Sequence, residues 1–237
     1  EDLRKCDAIF VRNELVTAAM IDEAINLKVI AKHGVGYDNI DVEYATKKGI
    51  QVVYAPQGNI NSVADMAMLH ILSCARRLRY TQREFFNGNY NVRFQMNDAH
   101  QLKGKTLALI GCGNIARLVA KRAKFGFDMR VIGYDPFVKP GLMDCGIEVI
   151  KNRDEVLKQA DFLSIHLPSI PTTIHSIGMK EFEMMKESAY IINTARGNIV
   201  CEEEMVEALQ KGMIAGAGLD VFEEEPVLKD NPLLSMD

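Results

Sequence analysis

The sequence has few of the features that mark membrane, secreted or nucleic-acid-binding proteins. It has no apolar run of about 18 residues, and its N-terminal segment does not have the pattern of a signal peptide. The 28 basic and 32 acidic residues leave a formal net charge of −4, so there is no basic excess to bind nucleic acid. These absences predict a cytoplasmic protein with no membrane partner and no direct nucleic-acid partner.

The cysteines and histidines are scattered along the chain. The five cysteines are odd in number, and no two of them have a C-x-x-C or zinc-ligand spacing. The five histidines are dispersed in the same way. We therefore expect free, mostly buried thiols in a reducing compartment, and no metal site.

The composition is that of a globular protein, because 48% of the 237 residues are apolar and 25% are charged. This length allows one large domain or two small ones. Short apolar runs alternate with helical patterns in the first part of the chain, which predicts a parallel sheet with few strands. The predicted strands are 7–11, 28–31 and 50–54, and the predicted helices are 17–27 and 40–48.

The turn-rich residues 55–59 predict a hinge between two domains. Residues 1–55 have too few strands for a complete parallel sheet, so we expect them to be part of a domain. Residues 56–237 are expected to form the second domain.

The residues after the hinge predict a helix and an arm. Ser62 as N-cap and Asp65 three residues later form a capping box. The helix that follows is apolar on nearly every side, so we expect it to be buried. Residues 80–103 are polar, contain aromatic side chains and lack clear periodicity. We expect a homodimer that forms through residues 62–103.

From Gly104 onward, short apolar strands alternate with helices, which predicts a doubly wound parallel sheet. The predicted strands are 106–110, 129–134, 162–166, 190–193 and 214–219, and the clearest helices are 114–125 and 202–211.

A glycine-rich motif, Gly111-Cys112-Gly113-Asn114-Ile115-Ala116, follows one predicted strand and opens a helix. This is the G-x-G-x-x-A form of the dinucleotide-binding motif. Gly111 permits a tight turn, Gly113 allows a pyrophosphate to approach the backbone, and Ala116 keeps the helix close to the sheet. The phosphates would bind at the helix N-terminus.

Asp135 ends the next predicted strand, at the distance from the motif that a ribose-binding carboxylate has. A carboxylate there accepts hydrogen bonds from ribose hydroxyls and repels a 2′-phosphate. The sequence therefore predicts NAD rather than NADP as the cofactor. A turn-forming role in Tyr134-Asp135-Pro136 is the structural alternative.

Several strings, in order along essentially the whole chain, resemble the D-2-hydroxyacid dehydrogenase family, which includes phosphoglycerate dehydrogenase. They are Lys32-His33-Gly34-Val35-Gly36-Tyr37-Asp38-Asn39-Ile40-Asp41, Asn61-Ser62-Val63-Ala64-Asp65, His166-Leu167-Pro168, Asn193-Thr194-Ala195-Arg196-Gly197 and Leu219-Asp220-Val221-Phe222-Glu223-Glu224-Glu225-Pro226. The resemblance implies an α/β fold, with a doubly wound NAD-binding Rossmann domain and part of a flavodoxin-like substrate domain. It also implies a hydride transfer between nicotinamide and C2 of a small 2-hydroxy or 2-keto acid.

The resemblance also implies roles for individual residues. Arg196 matches the catalytic arginine, whose guanidinium fork suits a carboxylate and a polarised carbonyl. Glu225 matches the acid that orients the catalytic histidine, and backbone N–H groups of Val35 and Gly36 complete the substrate carboxylate site. His166 is read as cofactor-proximal or core. The positions expected at the cofactor are Gly111, Gly113, Asn114, Ile115, Asp135, His166, Leu167, Pro168, Thr173, Thr194, Ala195 and Asp220.

The chain departs from the family pattern at three places. Asn114 replaces a commoner arginine beside the pyrophosphate, and Asp65 stands where many members have glutamate. The family's proton-transfer histidine lies in a P-H motif that follows the segment matched here by Asp220–Pro226, and the sequence does not reach that motif. We therefore expect a chain truncated at both ends that lacks the catalytic histidine. His33, the nearest substitute, is expected to pack under the substrate loop.

Two other functions are compatible with the same fold. An NAD-binding transcriptional corepressor of the C-terminal-binding-protein type is the main alternative, because fold alone does not settle function. A formate dehydrogenase is less favoured, since Glu225 is charged where that branch has an amide.

Overall fold

Two separate sheets organise the chain, each within its own compact unit. The computed structural model describes residues 3–236, and the first unit extends to Ile60 while the second begins at Asn61. Each unit has its own hydrophobic core.

The first unit contains a three-stranded parallel sheet in the order β1-β2-β3. Thr17 and Asp41 cap its helices, accepting hydrogen bonds from the backbone N–H groups of Met20 and Tyr44 at 3.3 and 3.0 Å. The strands are β1 (Ala8–Val11), β2 (Val29–Lys32) and β3 (Gln51–Tyr54), and the helices are α1 (Ala18–Glu23) and α2 (Val42–Lys47).

The second unit contains a seven-stranded sheet in the order β10-β9-β8-β4-β5-β7-β6, in which only the pair β6–β7 is antiparallel. This confirms the doubly wound fold. The strands are β4 (Thr106–Ile110), β5 (Arg130–Tyr134), β6 (Gly141–Leu142), β7 (Glu148–Val149), β8 (Phe162–Ile165), β9 (Tyr190–Asn193) and β10 (Gly216–Leu219). The helices are α3 (Ile60–Ala75, beginning one residue before the unit), α4 (Leu78–Phe86), α5 (Val92–Gln95), α6 (Asn114–Phe127), α7 (Arg153–Gln159), α8 (Met179–Met184) and α9 (Glu202–Gln210).

Buried side chains cover both faces of this sheet. Along β4, Leu107 and Leu109 join the cluster that contains α6, whereas Ala108 and Ile110 join the cluster that contains α9. Because successive strand residues point to opposite faces, this alternation places helices on both sides of the sheet.

Several local predictions are wrong. Helix α3 begins at Ile60, so Ser62 lies inside it and is not the N-cap, and Asp65 instead pairs with Arg122 at 2.9 Å. Helix α3 is not apolar and buried all round, because Leu69 is 52% exposed. Residues 80–103, expected to be irregular, contain most of α4 and all of α5.

The cysteines are all free thiols, but only Cys112 and Cys145 are fully buried. The expectation of mostly buried thiols is therefore wrong for Cys6, Cys74 and Cys201, which are half-buried. In residues 3–236, no helix combines the length and the apolar character that crossing a membrane requires.

Candidate active site

The candidate residues of the second unit follow the carboxyl ends of five adjacent strands. In the order β10-β9-β8-β4-β5 these strands are parallel, so their carboxyl ends share one edge of the sheet. The chain passes from β4 to β5 on one side and returns to β8 on the other side of β4. Ligands of doubly wound sheets bind where the strand order reverses in this way.

The glycine loop after β4 makes a close backbone contact. Gly111 has φ +92°, and a Cβ at this position would lie 2.5 Å from the carbonyl oxygen of His166. Any larger side chain would therefore push the loop after β4 away from the loop after β8. Ala116 is fully buried, as a residue between the helix and the sheet must be.

Gly113 and the first turn of α6 fit the phosphates of a dinucleotide. Gly113 is the N-cap with no side-chain hydrogen bond to the helix, and a Cβ there would meet no atom within 4 Å. The 14-residue helix, which begins with Asn114 and Ile115, therefore has no side-chain cap at its N-terminus, where the first N–H groups have no partner within the helix.

Asp135 lies against this loop. Its Oδ2 accepts a hydrogen bond from the N–H of Cys112 at 2.9 Å, and its Oδ1 accepts one from the N–H of Phe137 at the same distance. The carboxylate therefore forms the turn and also contacts the glycine loop. Each oxygen retains a further lone pair that can accept a ribose hydroxyl.

The loop after β8 is held by its own side chains. Thr173 donates a hydrogen bond from Oγ1 to the carbonyl of Pro168 at 2.6 Å and accepts one from the N–H of Ile170 at 2.9 Å. His166 Nε2 lies 3.0 Å from Ser164 Oγ. Burial lowers the pKa of His166 to about 4, so the ring is neutral at pH 7. Leu167 packs against the core.

The turn after β9 depends on a buried side chain that the sequence reasoning gave no role. Asn193 donates from Nδ2 to the carbonyl of Arg196 at 2.9 Å and accepts from the N–H of Ala195 at 3.0 Å. It is 1% exposed, so these two bonds fix the turn. The Oγ1 of Thr194 is buried without a hydrogen-bond partner among the described residues.

Arg196 and the loop after β10 are brought together by Gly197. A Cβ on Gly197 would lie 1.8 Å from the carbonyl oxygen of Phe222. Arg196 is half-buried, and its Nη1 donates to the carbonyl of Ala195 at 2.7 Å. The turn that presents Arg196 is therefore in direct backbone contact with the Asp220–Pro226 segment.

The loop after β10 carries Asp220 and Glu225. The N–H of Asp220 donates to the carbonyl of Asn193 at 3.0 Å, and Glu225 Oε1 accepts from the N–H of Phe222 at 3.1 Å. Both side chains are exposed. Glu223 pairs with His175, which joins this loop to the loop after β8.

The candidate substrate loop lies in the first unit. Val35 and Gly36 follow β2, and buried Lys32 donates from Nζ to Asn39 Oδ1 at 2.7 Å. His33 does not pack under this loop as expected. It is exposed, with its ring 5.7 Å from that of Phe10. Within residues 3–236 there is no group of three or more His, Cys, Asp or Glu side chains that could hold a metal ion.

Comparison with curated proteins shows relatives among dehydrogenases and reductases. The chain is 44% identical over 240 residues to D-3-phosphoglycerate dehydrogenase from Methanocaldococcus jannaschii, with all of this chain and 45% of that protein covered. It is 37% identical over 241 residues to glyoxylate reductase from Korarchaeum cryptofilum, with all of this chain and 72% of that protein covered. The chain thus spans about half the length of the phosphoglycerate dehydrogenases that it matches.

Solved structures share the fold. D-lactate dehydrogenase from Aquifex aeolicus, solved with NAD and lactic acid, is 34% identical with a TM-score of 0.85, and the match covers 94% of this chain and 66% of that one. Residues 68–237 match the family model described as the NAD binding domain of D-isomer specific 2-hydroxyacid dehydrogenase. The chain therefore belongs to the D-isomer specific 2-hydroxyacid dehydrogenase family, with its NAD-binding domain in residues 68–237.

Proposed function

We propose that the protein is an NAD-dependent oxidoreductase that transfers a hydride between nicotinamide and C2 of a small 2-hydroxy or 2-keto acid. The observation that carries this proposal is the position of Arg196, on a braced turn at the same sheet edge as the glycine loop. When bound, NAD supplies the hydride-transfer chemistry at its nicotinamide ring.

The residues of this chain bind and orient the reactants. The guanidinium group of Arg196 holds the substrate carboxylate and polarises the carbonyl at C2, because its planar fork matches both groups. The N–H groups of Val35 and Gly36, on the loop after β2, are the further donors that the family resemblance assigns to a substrate carboxylate. Glu225 has the position of the acid that orients the family's proton-transfer histidine, which lies in the P-H motif beyond the segment matched here.

The cofactor contacts follow from the loops around the glycine motif. The N–H groups of Asn114 and Ile115 bind the pyrophosphate, and Asp135 binds the ribose of the adenosine half. Leu167, Pro168 and Thr173 cover the adenine end, beside His166. Thr194, Ala195 and Asp220 line the nicotinamide end, where the Oγ1 of Thr194 can donate a hydrogen bond.

NADH oxidation in the presence of a panel of 2-keto acids tests the proposal, with every variant made in a protein that also carries the P-H segment of the family after Pro226. Arg196→Lys should lower kcat/KM about 10²-fold, because it removes a bidentate partner of the reacting group, while the Kd for NADH stays within about twofold. Arg130→Lys is the control, since Arg130 begins β5 and so lies at the opposite edge of the sheet. The proposal is wrong if no 2-keto acid of the panel is reduced, or if Arg196→Lys has the activity of the wild type.

A homodimer is proposed from the surface of α4 and the residues after it. Phe86, Tyr90 and Phe94 are each more than 70% exposed, and Arg93 stacks on the ring of Phe94. The ring of Phe85 contacts the rings of Phe86 and Tyr90, and clustered apolar side chains favour a protein contact. Sedimentation velocity should give a dimer at micromolar concentration, and Phe86→Glu should weaken it. A wild-type monomer would contradict the proposal.

The alternative of an NAD-binding corepressor has no support among the named relatives, which are dehydrogenases and reductases. Turnover on 2-keto acids distinguishes the two functions directly. A cytoplasmic location, with no nucleic-acid or membrane partner, remains a proposal from the composition.

A further inference from the structure

The first turn of α6 contains a single charged side chain, Arg117, since Asn114, Ile115 and Ala116 are all uncharged. The Nε of Arg117 donates a hydrogen bond to the carbonyl of Cys112 at 3.1 Å. This bond folds the side chain back over the glycine loop. The guanidinium group is thus held beside the loop that the dinucleotide phosphates approach.

The position of Arg117 on the helix explains how it reaches the loop. Arg117 and Asn114 are three residues apart, so they share a face of α6, and helical side chains lean toward the N-terminus. An arginine side chain is long enough to span the rise of about 4.5 Å between them. Arg117 is exposed, and both Nη groups make no hydrogen bond within residues 3–236. They are therefore available to an anion.

Asp135 and His166, which lie beside the glycine loop, do not supply the positive charge that a pyrophosphate requires. His166 is neutral at pH 7, because burial lowers its pKa to about 4. Asp135 carries a negative charge, and its carboxylate lies 2.9 Å from the N–H of Cys112. Without Arg117, the phosphates would meet only backbone N–H groups and the partial charge of the helix N-terminus.

We propose that the guanidinium group of Arg117 binds the pyrophosphate of the dinucleotide through its Nη groups, while its Nε braces the glycine loop at Cys112. This inference rests on the proposed use of NAD. Arg117 would then be the cation of the first turn of α6 that contacts the phosphates. It lies three residues after Asn114, the position at which the family commonly has arginine.

The test measures Kd by titration for NADH and for ADP-ribose, which keeps the pyrophosphate but lacks the nicotinamide. Arg117→Gln should raise both Kd values by about tenfold, as expected for the loss of one charge-assisted contact. It should also reduce the dependence of Kd on salt concentration. Lys121→Gln is the matched control, because Lys121 is an exposed cation of the same helix one turn further along. It should leave both Kd values within about twofold.

A second variant separates lost charge from a damaged loop. Asn114→Arg, added to Arg117→Gln, returns an arginine to the same face of the helix and should restore most of the affinity for NADH. Adenosine has no phosphate, so its Kd, measured by competition with NADH, should be the same in every variant. Wild-type affinity in Arg117→Gln overturns the inference. So does an equal loss of adenosine binding, which would mean a distorted loop. If the wild type binds neither NADH nor ADP-ribose, the proposed function itself is wrong and the inference falls with it.

Discussion

Gly197→Ala is expected to destabilise the second unit and to displace Arg196. A Cβ on residue 197 would lie 1.8 Å from the carbonyl oxygen of Phe222 and 2.4 Å from the backbone nitrogen of Glu223. A carbon–oxygen contact needs about 3.3 Å, so the two backbone segments must separate by about 1.5 Å. Backbone atoms cannot rotate out of the way as a side chain can.

The expected cost is about 3 kcal/mol of unfolding free energy, the upper part of the range for forced overpacking. For a unit of this size the loss corresponds to a fall in Tm of about 6–12 °C. The displacement also moves Arg196 relative to the Asp220–Pro226 segment. A shift of about 1 Å in a substrate-positioning group can lower the rate about 10²-fold.

Calorimetry and NADH titration of Gly197→Ala and Gly113→Ala test this reasoning. A Cβ on Gly113 meets no atom within 4 Å and its φ is −74°, so Gly113→Ala should keep the wild-type Tm. It should nevertheless raise the Kd for NADH, because its methyl group faces the approach of the phosphates. Wild-type Tm and activity in Gly197→Ala would refute the argument, as would equal losses of Tm in the two variants.

Three further substitutions test individual contacts. Asp135→Asn keeps an acceptor for the N–H of Cys112 but removes the charge, so the ratio of NADPH to NADH Kd should fall toward 1, measured by fluorescence titration. His166 has a pKa of about 4 in the folded protein, against an ordinary value of 6.5. The unfolded chain therefore binds more protons between these pH values. The free energy of unfolding should fall as the pH drops through this range, by roughly 3 kcal/mol at pH 4. Denaturant unfolding across that range should show a shallower pH dependence in His166→Gln, and an unchanged dependence would contradict this. Asn193→Ala should lower kcat more than it raises the Kd for NADH, because it frees the turn that carries Arg196.

Five of the seven strands of the second unit could be predicted from the sequence, because each is a short apolar run; β10 begins two residues later than predicted, and the two-residue strands β6 and β7 were not predicted. β4 and β9 have the predicted bounds, and β5 and β8 differ by one residue at one end. Both faces of these strands are buried, which requires apolar residues at every position.

Helix α4 could not be predicted in this way, because none of its residues is buried. Its large apolar side chains, Leu78, Phe85 and Phe86, are exposed, so this helix is not marked by the core packing that marks the strands. The start of α3 was misplaced for a different reason. Ser62 and Asp65 have capping-box spacing, but the carboxylate of Asp65 pairs with Arg122, which is 57 residues away along the chain.

Only part of the candidate site could be predicted from the sequence. The sequence singled out Gly111, Asp135 and Arg196, because each comes shortly after a predicted strand. It did not locate the bracing role of Asn193 or the contact of Gly197 with Phe222, since these depend on how separate loops meet.

The backbone of Cys112 connects the two halves of the proposed adenosine diphosphate site. Its N–H donates to Asp135 and its carbonyl accepts from Arg117, so the two peptide groups that flank the Cα of Cys112 carry one contact each and a change in the backbone angles of this residue disturbs both. Ribose selectivity and phosphate affinity are therefore not independent properties that can be engineered one at a time. An attempt to convert the protein to NADP by removing the Asp135 side chain also releases the loop under the pyrophosphate. In a double-mutant cycle, the effects of altering Asp135 and Arg117 on cofactor affinity should therefore not be additive. A change of cofactor from NAD to NADP requires that the glycine loop be redesigned together with the carboxylate.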